Sequence, residues 1–138
     1  MSTFDVQSIE ISAPFSAAFR YIADPANLPE WTHAFKHVSE GHATMETPAG
    51  ALQVGLRVQA SEPHGTIDWV ITFPDGGIAK AASRVTPHGD GSIYTFVLEA
   101  PPVPLERLEG ALAEQSRILA TELATLSRRL GENGHRHV

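Results

Sequence analysis

The chain contains no cysteine, which excludes disulfides, thiolate nucleophiles and cysteine metal sites. That absence fits a reducing cytosol. Positive charge is also scarce: ten Lys and Arg stand against sixteen Asp and Glu, for a formal charge of −6. Apart from Arg128, Arg129 and Arg136 near the C-terminus, the basic residues are scattered. No positive field gathers phosphate backbones, so nucleic-acid binding is not expected. No run of about 18 apolar residues occurs, so no membrane span is expected. The opening Met1-Ser2-Thr3-Phe4-Asp5 has neither the basic nor the apolar region of a signal peptide, and the expected location is cytoplasmic. Gly-rich phosphate loops, a nucleophile elbow and a Ser/His/Asp arrangement are likewise missing. No cofactor is expected.

What is there is an ordinary globular composition: 138 residues, 42% apolar and 19% charged. That length suits one domain with a real core, expected over 1–131 with a flexible tail over 132–138. Phe4 to Ile11 alternates imperfectly, as a strand. Ser12 is an N-cap candidate with Pro14 in the first helical turn. Phe15, Ala18, Phe19 and Ile22 recur at helical spacing, and Asp24-Pro25 stops that helix. A second short helix is expected from Pro25 or Ala26 to about Trp31. Two short strands follow between Phe35 and Ala49, turning near Glu40-Gly41. Leu52 to Val58 is the cleanest strand. Further strands span Thr66–Phe73, Ile78–Thr86 and Ser92–Glu99, separated by the hairpin signals Pro74-Asp75-Gly76-Gly77 and His88-Gly89-Asp90-Gly91. After Pro101-Pro102-Val103-Pro104 the period changes. Leu105, Leu108, Leu112, Leu119, Leu123, Leu126 and Leu130 form a helical stripe that Gly131 and Gly134 are expected to end.

Hairpin-linked strands imply an antiparallel sheet, and the leucine stripe has only that sheet to cover. The expected class is therefore α+β: a curved antiparallel β-sheet wrapped around a long C-terminal α-helix, with two short helices after the first strand. Three segments carry a resemblance that spans about Phe4 to Leu130. They are Ala13-Pro14 through Asp24-Pro25 and Leu28-Pro29-Glu30-Trp31; Gly65-Thr66-Ile67-Asp68-Trp69 with Pro74-Asp75-Gly76; and Arg84-Val85-Thr86 with Gly89-Asp90-Gly91-Ser92 before the long helix. The chain resembles the START/polyketide cyclase-dehydrase superfamily, the birch-pollen-allergen-like or SRPBCC proteins. The resemblance implies the helix-grip fold and a cavity. It resembles in particular a bacterial branch labelled polyketide cyclase/dehydrase or lipid-transport-like.

Candidate chemistry gathers at a few positions. Trp31, His33, Phe35 and His37 form the densest aromatic and imidazole cluster, which the resemblance places near the cavity mouth. A neutral imidazole can act as general acid or base. His33 and His37 would share one face if their segment were helical, but no third metal ligand accompanies them, so no metal is expected. The bland reading is a core Trp31 with partly exposed histidines. Asp68 alternates with Ile67 and Trp69, so one of these sets faces the interior and the other faces away. An inward Asp68 would have Arg84 on the adjacent strand as its partner, more often a structural pair than a catalytic one. Gln115 and Ser116 interrupt the leucine stripe between Leu112 and Leu119. They suggest water or ligand beneath the helix, with Ala79, Ala81, Ala82 and Ser83 opposite leaving space. The competing reading bonds Ser116 to its own helix and sends Gln115 to solvent. Tyr94 adds a phenol at strand spacing with Phe96 and Leu98; strand tyrosines more often simply pack.

These residues point first to binding of a hydrophobic or aromatic small molecule between sheet and helix, lined by Trp31, His33, Asp68, Trp69, Arg84, Tyr94, Gln115 and Ser116. The first alternative, implied by the resemblance, is an aromatase/cyclase or dehydratase using His33 or Asp68 for proton transfer. The second is a co-chaperone-like interaction module acting through its outer surface. Open sheet edges leave room for a homodimer that nothing in the sequence specifies.

Overall fold

The computed structural model describes residues 4–47, 50–99 and 105–135. Ten principal elements follow in chain order: β1 (Phe4–Ile11), α1 (Phe15–Ala23), α2 (Leu28–Trp31), β2 (Phe35–Ser39), β3 (His42–Thr47), β4 (Gly50–Ser61), β5 (Thr66–Thr72), β6 (Ile78–His88), β7 (Gly91–Glu99) and α3 (Leu105–His135). The strands form one seven-stranded sheet in the order β1-β7-β6-β5-β4-β3-β2. Every pairing is antiparallel. Successive strands from β2 to β7 are neighbours, as short connections require. β1 returns beside β7 and leaves both edges open.

Side-chain alternation then decides what faces the helices. Trp69 pairs with Ala81 on β6 and with Val58 on β4. Tyr94 pairs with Val85 on β6 and Ile9 on β1. These residues share the inner face. β1 also turns Asp5 and Gln7 inward in the same alternation, while Phe4 and Val6 stay 58% and 49% exposed on the outer face. The imperfect apolar pattern of that strand thus records an inner face that is polar at one end.

The reason lies on α3. Leu119, Leu123, Leu126 and Leu130 are buried at spacings of four, three and four. Each fully buried leucine contributes roughly 1.5–3 kcal/mol. The polar break upstream meets the polar end of β1. Ser116 Oγ donates to Asp5 Oδ2 at 2.7 Å, and Gln7 Nε2 donates both to the Ser116 carbonyl and to Asp5 Oδ2 at 2.8 Å. These bonds hold the Asp5 carboxyl below its usual range. Eleven residues on, three turns along the same helix face, Ser127 Oγ donates to the Glu10 carbonyl at 2.8 Å. Ser116 therefore fastens the helix to the edge strand, while Gln115 is exposed. Neither sequence reading of Ser116 anticipated a cross-element bond. The side chains of Leu105, Leu108 and Leu112 fall outside the described residues.

Two local expectations change. Pro14, with extended backbone, is the N-cap of α1, and Ser12 makes no capping bond there. The backbone of α3 stays helical through Gly131 to His135, because an interior glycine weakens a helix by about 1 kcal/mol without ending it. Between α1 and α2, Pro25–Asn27 forms one tight turn capped by the Asp24 carboxylate, which accepts from the Ala26 N–H at 3.0 Å.

Candidate functional site

The centre of the sheet is lined by its smallest side chains. Alternation puts Ala79, Ala81 and Ser83 of β6 on the inner face and Lys80, Ala82 and Arg84 on the outer. Ala81 lies between Trp69 of β5 and, one step from the Ala82–Val97 pair, Leu98 of β7. Ile71 and Phe96 extend the two walls, and with Leu98 and Ala81 they remain only half-buried although packed beside the core. The result is an apolar trough with alanines for a floor.

At its inner end stand polar groups without partners. Among the described residues, Trp31 Nε1, Trp69 Nε1 and Tyr94 Oη are buried and make no hydrogen bond. Trp31, Trp69 and Tyr94 are 3%, 5% and 0% exposed. The Trp31 ring meets the Tyr94 ring edge-on, with centroids 6.4 Å apart, and Tyr94 meets Phe96 at 6.3 Å. Ser83 Oγ gives its proton to the Ile67 carbonyl at 2.5 Å. Burial pushes the Tyr94 phenol up to about 12, opposed by weaker hydrogen-bonding from Ser83 and Trp69, whose polar atoms lie close to Oη without the alignment of a full hydrogen bond. At neutral pH it is an uncharged hydroxyl. Each unpaired buried group costs about 1–3 kcal/mol, so three in one neighbourhood are a substantial local debt of stability.

Trp31 is carried on the short helix α2, which polar bonds hold to α3 on both sides. On one side Tyr21 Oη donates to Glu30 Oε1 at 2.6 Å, and Arg129 Nη1 approaches the same oxygen at 3.8 Å. On the other, the His33 N–H donates to Glu122 Oε2 at 2.6 Å. Burial pushes the Glu122 carboxyl up, opposed by the His33 and Ala34 N–H groups and the His33 imidazole. A raised pKa means that the folded state favours the protonated form. The stability Glu122 adds is present below its unfolded value and is lost as pH rises through the elevated one. Glu122→Gln, which keeps an acceptor and removes the charge, is therefore expected to be at least as stable as the parent at pH 7 and to flatten the pH dependence of the melting temperature. Glu122→Ala is expected to cost about 1–2 kcal/mol. Thermal melts across pH check both.

The eight residues expected to line the interior thus separate. Trp31, Trp69 and Tyr94 come together. His33 and Gln115 are exposed, and Ser116 is half-buried against β1. Asp68 and Arg84 lie on the outer face, since Trp69 and Ser83 point in, and they form no ion pair with each other or any other described residue. His33 lies in the turn after α2, and His37 follows an irregularity in β2, so they do not share a helical face. Among the described residues no cluster of three metal-ligating side chains exists. An open surface depression of about 310 Å³ between Glu10, Ser12, His88 and Asp90 lies at the β1 end, away from the trough. Sequence reasoning missed Glu122; its signal was a carboxylate three residues after Leu119 and one before Leu123, at the border of the buried stripe.

A curved antiparallel sheet closed by a long C-terminal helix over an apolar interior defines a helix-grip protein of the START type. The chain belongs to the family described as polyketide cyclase/dehydrase and lipid transport, whose pattern matches residues 6–131. Among solved structures, it is similar to a START superfamily protein of Mycobacterium smegmatis, at 15% identity and a TM-score of 0.65, covering 94% of this chain and 99% of the other. It is also similar to the protein XoxI of Bacillus cereus, at 14% identity and a TM-score of 0.68, covering 94% and 96%. A third is the Zhui aromatase/cyclase of a Streptomyces species, at 9% identity and a TM-score of 0.63, covering 96% and 93%. Among curated proteins, none matches the chain in sequence. No described helix is long and apolar enough to cross a membrane.

Proposed function

We propose that the protein binds a hydrophobic or aromatic small molecule in the cytoplasm, seated in the trough over Ala79 and Ala81 with its inner end at Trp31, Trp69 and Tyr94. The observation that carries this is the group of three buried, unpartnered hydrogen-bonding atoms at the end of a half-buried apolar surface. Ligand sites are mostly apolar with a few placed polar groups, and a ligand oxygen would relieve the cost those atoms now bear. The aromatase/cyclase reading draws on the family and on neighbours such as the Zhui protein. It requires a proton-transfer group at the trough. His33 is exposed and Asp68 lies on the outer face, and this placement of both expected proton-transfer residues favours binding over turnover.

Native mass spectrometry of the protein as purified tests this. A retained small molecule, released on denaturation, is the expected result, together with a rise in melting temperature when apolar aromatics are added. A bare protein mass and a melting temperature indifferent to such compounds would refute it.

A further inference from the structure

The two edges of the sheet are guarded unequally. At one, β2 is five residues long and carries Lys36 at an irregularity in its pairing, features that discourage further strands. At the other, β1 runs for eight residues without lysine or proline and pairs with β7 in unbroken register. Phe4 and Val6, two of the three exposed large hydrophobic side chains among the described residues, stand on it. Its backbone groups alternate as well. The Ile11 carbonyl faces β7, since it lies 2.6 Å from where a Cβ on Gly91 would stand. The groups of Phe4, Val6, Ser8 and Glu10 therefore face the open side. Ser127 takes the Glu10 carbonyl, which leaves the stretch from Phe4 to Ser8. Among the described residues, only the Val6 N–H of that stretch has an acceptor nearby, the adjacent Asp5 carboxylate.

We infer that this edge is a self-association surface, on which β1 of a second copy pairs antiparallel with β1 and joins the two seven-stranded sheets into one. Charge and the helix together fix the register. Val6 opposite its own copy uses the whole free stretch, sets Phe4 against Ser8 and puts each Asp5 across from an uncharged Gln7. A slide toward Phe4 would bring Asp5 against Asp5, and like charges directly opposite are destabilising. A slide toward Glu10 would call on the carbonyl that Ser127 already holds. Val6, Ser8, Thr95 and Val97 keep the adjoining outer face uncharged, on a chain whose net charge is −6. Helix α3 leaves room for the copy. Beyond Ser116 and Ser127, on the side turned away from the buried leucines, come Ala113, Ala120 and Ala124, all exposed. Any extended strand could use the free backbone groups, but a second copy also matches this register and brings the same small side chains on its helix.

So short a strand pair buries less than the roughly 1,200 Å² of a stable interface, and the dimer is expected to form only above about 0.1 mM protein. Sedimentation velocity of the full chain, from about 0.01 to about 1 mM, is expected to show a monomer passing into a dimer. Val6 points outward and is exposed, so a charged side chain there is expected to leave the fold in place. Val6→Lys and Val6→Glu each set like charges across the twofold axis, and each alone is expected to dimerise about fivefold more weakly or worse. An equal mixture of the two variants is expected to recover the dimer, because opposite charges then meet at the axis. A chain that stays monomeric at about 1 mM overturns the inference. A dimer that survives both substitutions overturns it too, since another surface then holds the copies together. So does a mixture no more dimeric than the separate variants, which would remove Val6 from the axis.

Discussion

Tyr94→Ala is expected to lower the unfolding free energy by about 3–5 kcal/mol, the range for emptying a large aromatic site, whereas Tyr94→Phe is expected to change it by less than about 1 kcal/mol. The contrast separates two roles of one side chain. The ring is 0% exposed and lies edge-on against both Trp31 and Phe96, so its removal leaves a void at the junction of α2 and β7. The hydroxyl makes no well-aligned hydrogen bond, although Ser83 and Trp69 lie close to it, so its removal deletes a buried polar atom whose desolvation is poorly compensated. Replacing such a group by an apolar one of the same shape is neutral or stabilising. Urea unfolding at constant m-value measures both changes. A loss of 2 kcal/mol or more in Tyr94→Phe would show that the hydroxyl is paired, and the account of unpaired donors would fail.

Gly65→Ala is expected to cost about 3 kcal/mol or more. Gly65 ends the tight turn before β5 with φ +73, and a Cβ there would lie 2.3 Å from the Val85 carbonyl oxygen and 3.3 Å from the Phe15 ring. The left-handed backbone alone costs a non-glycine residue about 1–2 kcal/mol. The contact with Val85 adds to that, because Val85 cannot withdraw: its N–H donates to the Gly65 carbonyl at 2.8 Å. Gly41→Ala is the control. Its φ is +75 and nothing lies within 4 Å of the added carbon, so it is expected to show the backbone cost alone. Equal losses at the two positions would mean that α1 and β6 are not held as closely as the structure places them.

The fold was legible because its signals are local and redundant. Alternation at Leu52 to Val58, the hairpin at Pro74 to Gly77 and the leucine stripe after Leu105 each fix an element without reference to the others. The site was legible only in part. Alternation alone shows that Asp68 and Trp69 oppose each other, but not which one faces inward; the long helix, which must cover apolar surface, decides for Trp69. Ser116 was read as a gap in an apolar seam because its partners, Asp5 and Gln7, sit more than a hundred residues away. Glu122 was missed for the same reason. Its partners are backbone N–H groups of a turn, which leave no mark on the sequence.

The most direct test of the central claim uses the two indole N–H signals, since Trp31 and Trp69 are the only tryptophans. In the ligand-free protein both are expected at the high-field positions of indoles without a hydrogen-bond acceptor. On addition of an apolar aromatic compound such as fluorenone both signals are expected to move, Trp69 through contact with the ligand and Trp31 through its neighbour Tyr94. Movement confined to surface residues, with both indole signals unmoved at saturation, would contradict the placement of the ligand site in this interior.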